Sequence, residues 1–241
     1  MPNTYFQFKQ FRIEQDRCAL KVCTDACLFG AWVADQVNKI QPPVKNILDI
    51  GSGTGLLMLM LAQRSRAHIT GVEIDRASFE QSTENIAHSQ WKERLNITYA
   101  DICQYEAAEQ FELIISNPPF FENDLRSSKS HKNLSKHDTG LTFSALTEQV
   151  NRLLKQDGMF AVLLPYHRTD EFLELAQEKD LWLYEIATLK QTPRHPHFRS
   201  ILLLRREAQK HIQESSIIIQ DEEGEYSKEA TALLRDYYLY L

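Results

Sequence analysis

The segment Asn117-Pro118-Pro119-Phe120 closes an apolar run over residues 111–115. Each proline fixes its own φ, lacks an N–H and biases the residue before it towards extended geometry. The asparagine side chain is thereby held beside carbonyls that accept hydrogen bonds with no competing local donor. Fixed acceptors at a rigid corner suit an amino group on a planar ring, and Phe120 offers a face on which such a ring can stack. A second constellation lies upstream, Asp49-Ile50-Gly51-Ser52-Gly53-Thr54-Gly55. Its glycines let the backbone pass close to a ligand without Cβ clashes, and a helix opening directly after it offers free N–H groups. The spacing differs from the dinucleotide fingerprint, whose last glycine falls one residue later. A tight structural turn would use the same glycines, so the loop alone does not decide the ligand. Glu73 follows at about the distance from which a carboxylate accepts both hydroxyls of a ribose. Asp101 could accept from an adenine amino group, although aspartate is also common in strand-to-helix turns.

These residues must be positioned by regular elements, and the chain supplies them in alternation. Short apolar runs at 46–50, 67–74, 95–100, 111–116, 158–164, 181–189 and 199–205 read as seven strands. Helical patterns at 56–63, 76–90, 143–155 and 170–179 lie between the first six of them. Alternation of this kind predicts an α/β fold, a mostly parallel seven-stranded sheet with helices on both faces. Ligands of such sheets bind beyond the carboxyl ends of the strands. Asp49, Glu73, Asp101 and Asn117 all fall at or near such ends, so they are expected to converge on one crevice. Residues 122–141 show no periodicity and are rich in Ser, Lys, His and Asn, a pattern of either a substrate-binding loop beside the corner or inert disorder, of which the position favours the loop. Residues 217–219 are β-rich, and a last helix is expected to be capped by Ser227.

Composition narrows the class. The 241 residues are 43% hydrophobic and 25% charged, as in a soluble globular protein of one large domain. No apolar stretch is long enough to span a bilayer, and residues 1–9 lack the apolar core of a secretory signal, so a cytoplasmic protein is expected. Cys18, Cys23 and Cys27 do not have zinc-site spacing and no histidine lies close by, so no metal is expected and free thiols are. The net charge of −6 argues against binding long duplexes. Two acid-poor segments run against the total, at 126–137 and 190–206, and are expected to meet any nucleic-acid partner.

The glycine loop, acidic strand ends and Asn-Pro-Pro-aromatic corner resemble, in that order, the signature of S-adenosylmethionine-dependent methyltransferases acting on amino groups. Phe120 stands where tyrosine is commoner. The resemblance narrows at the ends of the chain. Phe8-Lys9-Gln10-Phe11, Asp16-Arg17-Cys18-Ala19-Leu20-Lys21-Val22, Thr24-Asp25 and Gly30-Ala31-Trp32 are similar to the N-terminal signature of bacterial tRNA adenine-N6 methyltransferases, and Tyr226-Ser227 and Thr231-Ala232-Leu233 to its C-terminal part. Cys23 and Ala26 depart from that pattern, where glycines are expected. The family modifies the adenosine just 3′ of the anticodon of a valine tRNA. The resemblance implies a Rossmann-like class I methyltransferase core at 46–206. It also implies an N-terminal extension at 1–45 whose Lys21, Thr24 and Asp25 contact the cofactor, and a C-terminal strand and helix at 207–241 packed on the core. It implies S-adenosyl-L-methionine held by Asp49, Gly51, Gly53, Gly55, Glu73 and Asp101. Catalysis would fall to Asn117, Pro118, Pro119 and Phe120, with a tRNA anticodon stem-loop as partner and a monomer as the favoured state.

Other readings share parts of this pattern. A DNA adenine methyltransferase would have the corner but usually needs a target-recognition domain. A protein glutamine-N5 methyltransferase would carry a helical domain ahead of the glycine loop. A non-catalytic RNA-binding module would not need an intact loop and corner, and a dehydrogenase would not need the corner.

Overall fold

The computed structural model of the chain describes residues 3–18, 20–118 and 141–241. A short antiparallel hairpin comes first, β1 (Tyr5–Gln7) with β2 (Arg12–Glu14), followed by α1 (Thr24–Val37). The alternating part then runs β3 (Asn46–Ile50), α2 (Leu56–Arg64), β4 (His68–Glu73), α3 (Arg76–Ala87), β5 (Leu95–Tyr99) and β6 (Phe111–Ser116). It continues through α4 (Phe143–Leu153), β7 (Leu154–Pro165), α5 (Thr169–Gln177), β8 (Trp182–Lys190) and β9 (His197–Arg205), and ends with β10 (Gln213–Ile218) and α6 (Lys228–Leu234).

The main sheet has eight strands in the order β10-β8-β9-β7-β6-β3-β4-β5, one more than the sequence suggests. Only β9 runs against its neighbours. The additional strand, β10, pairs parallel to β8 from Gln213↔Glu185 to Ile218↔Lys190. Its first four residues, Gln-Glu-Ser-Ser, are polar and exposed, as an edge strand permits, so no apolar alternation announces it.

Alternation along the central strands assigns each side chain to one of two cores. Ile47, Leu113, Ile115, Met159, Ala161 and Leu163 face the layer holding α1, α2 and α6. Leu48, Ile50, Ile114, Phe160, Val162 and Leu164 face the layer holding α4 and α5. Helix α2 is apolar nearly all round and lies within the first layer. It packs so close to β4 that a Cβ on Gly71 would stand 2.6 Å from Met58 Sδ and 3.0 Å from Ser52 Cβ. Glycine at 71 is therefore a packing requirement that places the Asp49–Gly55 loop against the sheet. Among the described residues no helix is long and apolar enough to cross a membrane.

Candidate active site

Strand register brings the candidate residues to one level. Ile50 is paired with Val72 on one side and Ser116 on the other. Gly51, Glu73 and Asn117 therefore begin the next row together, at the carboxyl ends of three adjacent strands. Neighbouring strands lie about 4.8 Å apart, so the Glu73 and Asn117 backbones flank the glycine loop across roughly 10 Å. Asn117 is half-buried and Pro118 buried; Pro119 and Phe120 lie outside the described residues. Beneath the corner, the buried Ser116 hydroxyl donates to the Ile50 carbonyl at 2.9 Å, tying β6 to β3 where the two loops leave the sheet.

The loop itself is held open by its backbone. Gly51, Gly53 and Gly55 have φ of 72°, 55° and 79°, a region that side chains disfavour. A Cβ at Gly51 or Gly53 would meet nothing within 4 Å, so open space lies where those side chains would be. Glu73 secures the loop with both oxygens: Gly53 N–H donates to Oε2 at 2.7 Å and Asp75 N–H to Oε1 at 2.8 Å. Asp75 in turn caps α3 by accepting from Ser78 N–H.

Asp49 is wholly buried, and among the described residues neither carboxylate oxygen has a hydrogen-bond partner. Burial, with the charge of Glu73 adding to it, pushes its pKa up to about 8. A buried carboxylate without donors, beside a glycine cradle with free space, fits a cationic ligand that brings its own N–H groups. The same site offers Glu73 to hydroxyls, once it shares or releases the Gly53 N–H. Asp101 lies two residues past Tyr99, the partner of Glu73 in β5, and already accepts from Cys103 N–H at 2.9 Å.

The N-terminal segment forms one wall of this crevice. Asn85 of α3 accepts from Glu14 N–H and donates to the Glu14 and Thr54 carbonyls, and Gln81 accepts from Arg17 N–H. Two buried amides thus staple the hairpin to the helix and the helix to the glycine loop. Cys18 follows, buried within reach of Ser78 and of the charges on Lys21, Glu73 and Asp75; burial raises its thiol. Lys21 donates to the Gln15 carbonyl and Gln15 accepts from Val22 N–H, which folds the segment on itself. Cys23 occupies the N-cap of α1 without capping it. Thr24 lies within hydrogen-bond reach of Tyr238. Asp25 forms a partly buried ion pair with Arg199 Nε at 2.9 Å, fastening the start of α1 to the amino end of β9.

That pair changes the reading of the segment 190–206. Arg199 is engaged with Asp25, and Arg194 with Glu222 at 3.2 Å. Because β9 runs antiparallel, Arg205 and Arg206 end at the opposite edge of the sheet. There Arg205 stacks 3.9 Å from the Tyr184 ring and Arg206 binds the Asn151 side chain and the Leu154 carbonyl. Only the first part of the segment faces the candidate site. The other basic segment, 126–137, lies outside the described residues. Among the described residues no group of three or more His, Cys, Asp or Glu side chains is placed to hold a metal ion.

Sequence reasoning did not single out Gly71, Gln81, Asn85 or Ile74. Ile74 follows Glu73 and is 62% exposed, an apolar side chain left open at the mouth of the crevice. An isoleucine directly after an acidic strand end was the available signal. Gln81 and Asn85 read as ordinary polar positions of a surface helix, and only their contacts reveal them.

The model of the Methyltransferase small domain family matches residues 20–169. Among solved structures, a protein of Agrobacterium tumefaciens described as a predicted O-methyltransferase superposes with a TM-score of 0.68 at 16% identity, over 90% of this chain and 98% of the other. The CcbJ methyltransferase of Streptomyces caelestis superposes with a TM-score of 0.57 at 12% identity, over 79% and 95%. These likenesses concern the fold. Curated relatives are nearer in sequence. The tRNA1(Val) (adenine(37)-N6)-methyltransferase of Phocaeicola vulgatus is 38% identical over 239 residues, 99% of either chain. The protein of the same name from Pectobacterium carotovorum is 38% identical over 98% of this chain and 94% of its own. With identity sustained at this level from one end to the other, the chain belongs to the tRNA1(Val) (adenine(37)-N6)-methyltransferase family.

Proposed function

We propose that this protein transfers a methyl group from S-adenosyl-L-methionine to the N6 amino group of an adenosine in the anticodon loop of a valine tRNA. The observation that carries the reading is the single row of Glu73, Gly51 and Asn117 at the carboxyl ends of three adjacent strands, with the donor-starved Asp49 beneath it. When bound, S-adenosylmethionine supplies a sulfonium methyl that needs no further activation. Asp49 and the Gly51–Gly55 backbone would hold its cationic amino-acid end, Glu73 its ribose hydroxyls and Asp101 its adenine, with Ile74 as an apolar surface beside them. Lys21, Thr24 and Asp25 brace the wall that closes this side.

The remaining chemistry belongs to the corner. An aromatic amine is a poor nucleophile because its lone pair is delocalised into the ring. Asn117 Oδ1 and the Pro118 carbonyl would accept the two amine hydrogens, drawing the nitrogen towards tetrahedral geometry and freeing the lone pair. Proline stiffness keeps these acceptors in place before the substrate arrives, so little reorganisation is needed as charge develops. No strong general base is required, because the amine proton becomes acidic as the new bond forms. The adenine must be splayed from its neighbours to enter, which costs little in a loop. Incubation of the purified protein with labelled S-adenosylmethionine and either an anticodon stem-loop or duplex DNA tests the assignment. Label in N6-methyladenosine of the stem-loop is expected. Label in duplex DNA, or in glutamine of a protein substrate, would move the assignment to another amino-group methyltransferase.

A further inference from the structure

Beside the proposed corner lies an aromatic pair that the transfer reaction itself does not use. Tyr166 follows β7 directly and is 42% exposed. Its ring lies 5.0 Å from that of His197, which opens β9, at an interplanar angle of 41°. Ser116 is paired with Val162, so Asn117 stands level with Leu163 on the next strand. Tyr166 therefore begins about three residues beyond Asn117 and one strand over, roughly 10 Å away at the usual strand rise. That is the reach of a neighbouring nucleotide in a single strand whose target base sits in the corner.

The surroundings suit RNA. The loop between β8 and β9 carries exposed Arg194 and His195 and no acid. Lys190 stands at its start, half-buried. The Arg194–Glu222 pair is exposed on both sides, so it stabilises little and can yield to a phosphate. Burial and the charge of Lys190 hold the His197 imidazole below its ordinary value, which favours the neutral ring. Ser216 lies 3.4 Å from its Nε2.

We infer that Tyr166, backed by His197, is a stacking platform for a base flanking the target adenosine, with Lys190, Arg194 and His195 beside the adjoining phosphates. Single-stranded RNA is commonly held by aromatic stacking next to a basic groove. The inference rests on the reading of tRNA as substrate and adds a positioning residue outside the transfer site.

The test uses the full chain and an anticodon stem-loop. Tyr166→Ala should raise the KM for the stem-loop about tenfold or more, the range of losing one base–aromatic stack. Its affinity for S-adenosylmethionine, by calorimetry, should stay at the wild-type value, which also reports an intact fold. Tyr166→Phe should restore the KM, because the ring and not the hydroxyl is invoked. With 5-iodouridine replacing the flanking nucleotide on one side or the other, irradiation should crosslink one of the two RNAs to Tyr166. Transfer by the wild type with an unchanged KM in Tyr166→Ala would overturn the platform alone, as would crosslinks mapping elsewhere. No transfer to the stem-loop by the wild type would overturn the substrate reading and the platform with it.

Discussion

Asp49→Asn removes a charge while keeping the shape of a side chain that is wholly buried and has no hydrogen-bond partner among the described residues. The carboxyl has its pKa at about 8 in the folded chain, against an ordinary value of 3.8. Below the lower value both folded and unfolded states carry the proton, and nothing is lost. As pH rises from there to about 8, the unfolded chain releases its proton and the folded chain keeps it, so folding becomes progressively less favourable. Each pH unit of that window corresponds to about 1.4 kcal/mol. The total is on the order of 5 kcal/mol, an upper bound because loop relaxation and entering water relieve part of it. Asp49→Asn should therefore be more stable than the wild type without cofactor at pH 8, and equal to it near pH 4. Binding reverses the preference. A cation placed against the carboxylate favours its charged form, so binding near pH 7 should expel the proton that most of the free protein carries there. Calorimetry in buffers of differing ionisation enthalpy reads that release directly. Proton release is expected at pH 7, diminishing as the pH rises past the carboxyl's pKa, and absent for Asp49→Asn. No proton release by the wild type at pH 7, with cofactor bound, would refute the placement of a cationic group against Asp49.

Asn117→Ala should lower kcat about 10²- to 10³-fold, as loss of a transition-state acceptor does, while calorimetric affinity for S-adenosylmethionine stays near wild type. Gly71→Ala forces a methyl group against Met58 Sδ and should destabilise the fold by about 1–3 kcal/mol in urea titrations. Arg199→Ala and Asp25→Ala should each cost about 1 kcal/mol and be non-additive in a double-mutant cycle, since both remove the same ion pair.

The centre of the sheet was legible because β3, β4 and β6 are short apolar runs that end at or next to Asp49, Glu73 and Asn117. The interval from 46 to 50 and that from 111 to 116 coincide with β3 and β6. Ser227 caps α6 as its position suggests, accepting from Ala230 N–H. Other elements carry no such pattern. Strand β7 starts at Leu154, before the apolar run, because Lys155 reaches across to Glu112 of β6 and holds a polar stretch in the sheet. Strand β10 is polar along most of its length because one side of it faces solvent. Helix α1 is buried on nearly every side, so its residues read as an apolar run without helical periodicity. At the site, glycines and acids were legible because backbone freedom and buried charge belong to residue type. The engagement of Arg199 with Asp25 was not, because a salt bridge between residues 174 apart depends on the antiparallel direction of β9. In sequence, that arginine looks like its exposed neighbours.

The most direct measurement is nucleoside mass spectrometry of purified valine tRNA from cells lacking this protein, supplied with either the wild-type chain or Asn117→Ala. The account predicts N6-methyladenosine just 3′ of the anticodon with the wild-type chain and its absence with the variant at equal protein levels. Equal methylation in both would contradict the assignment of the Asn117 corner as the site of transfer.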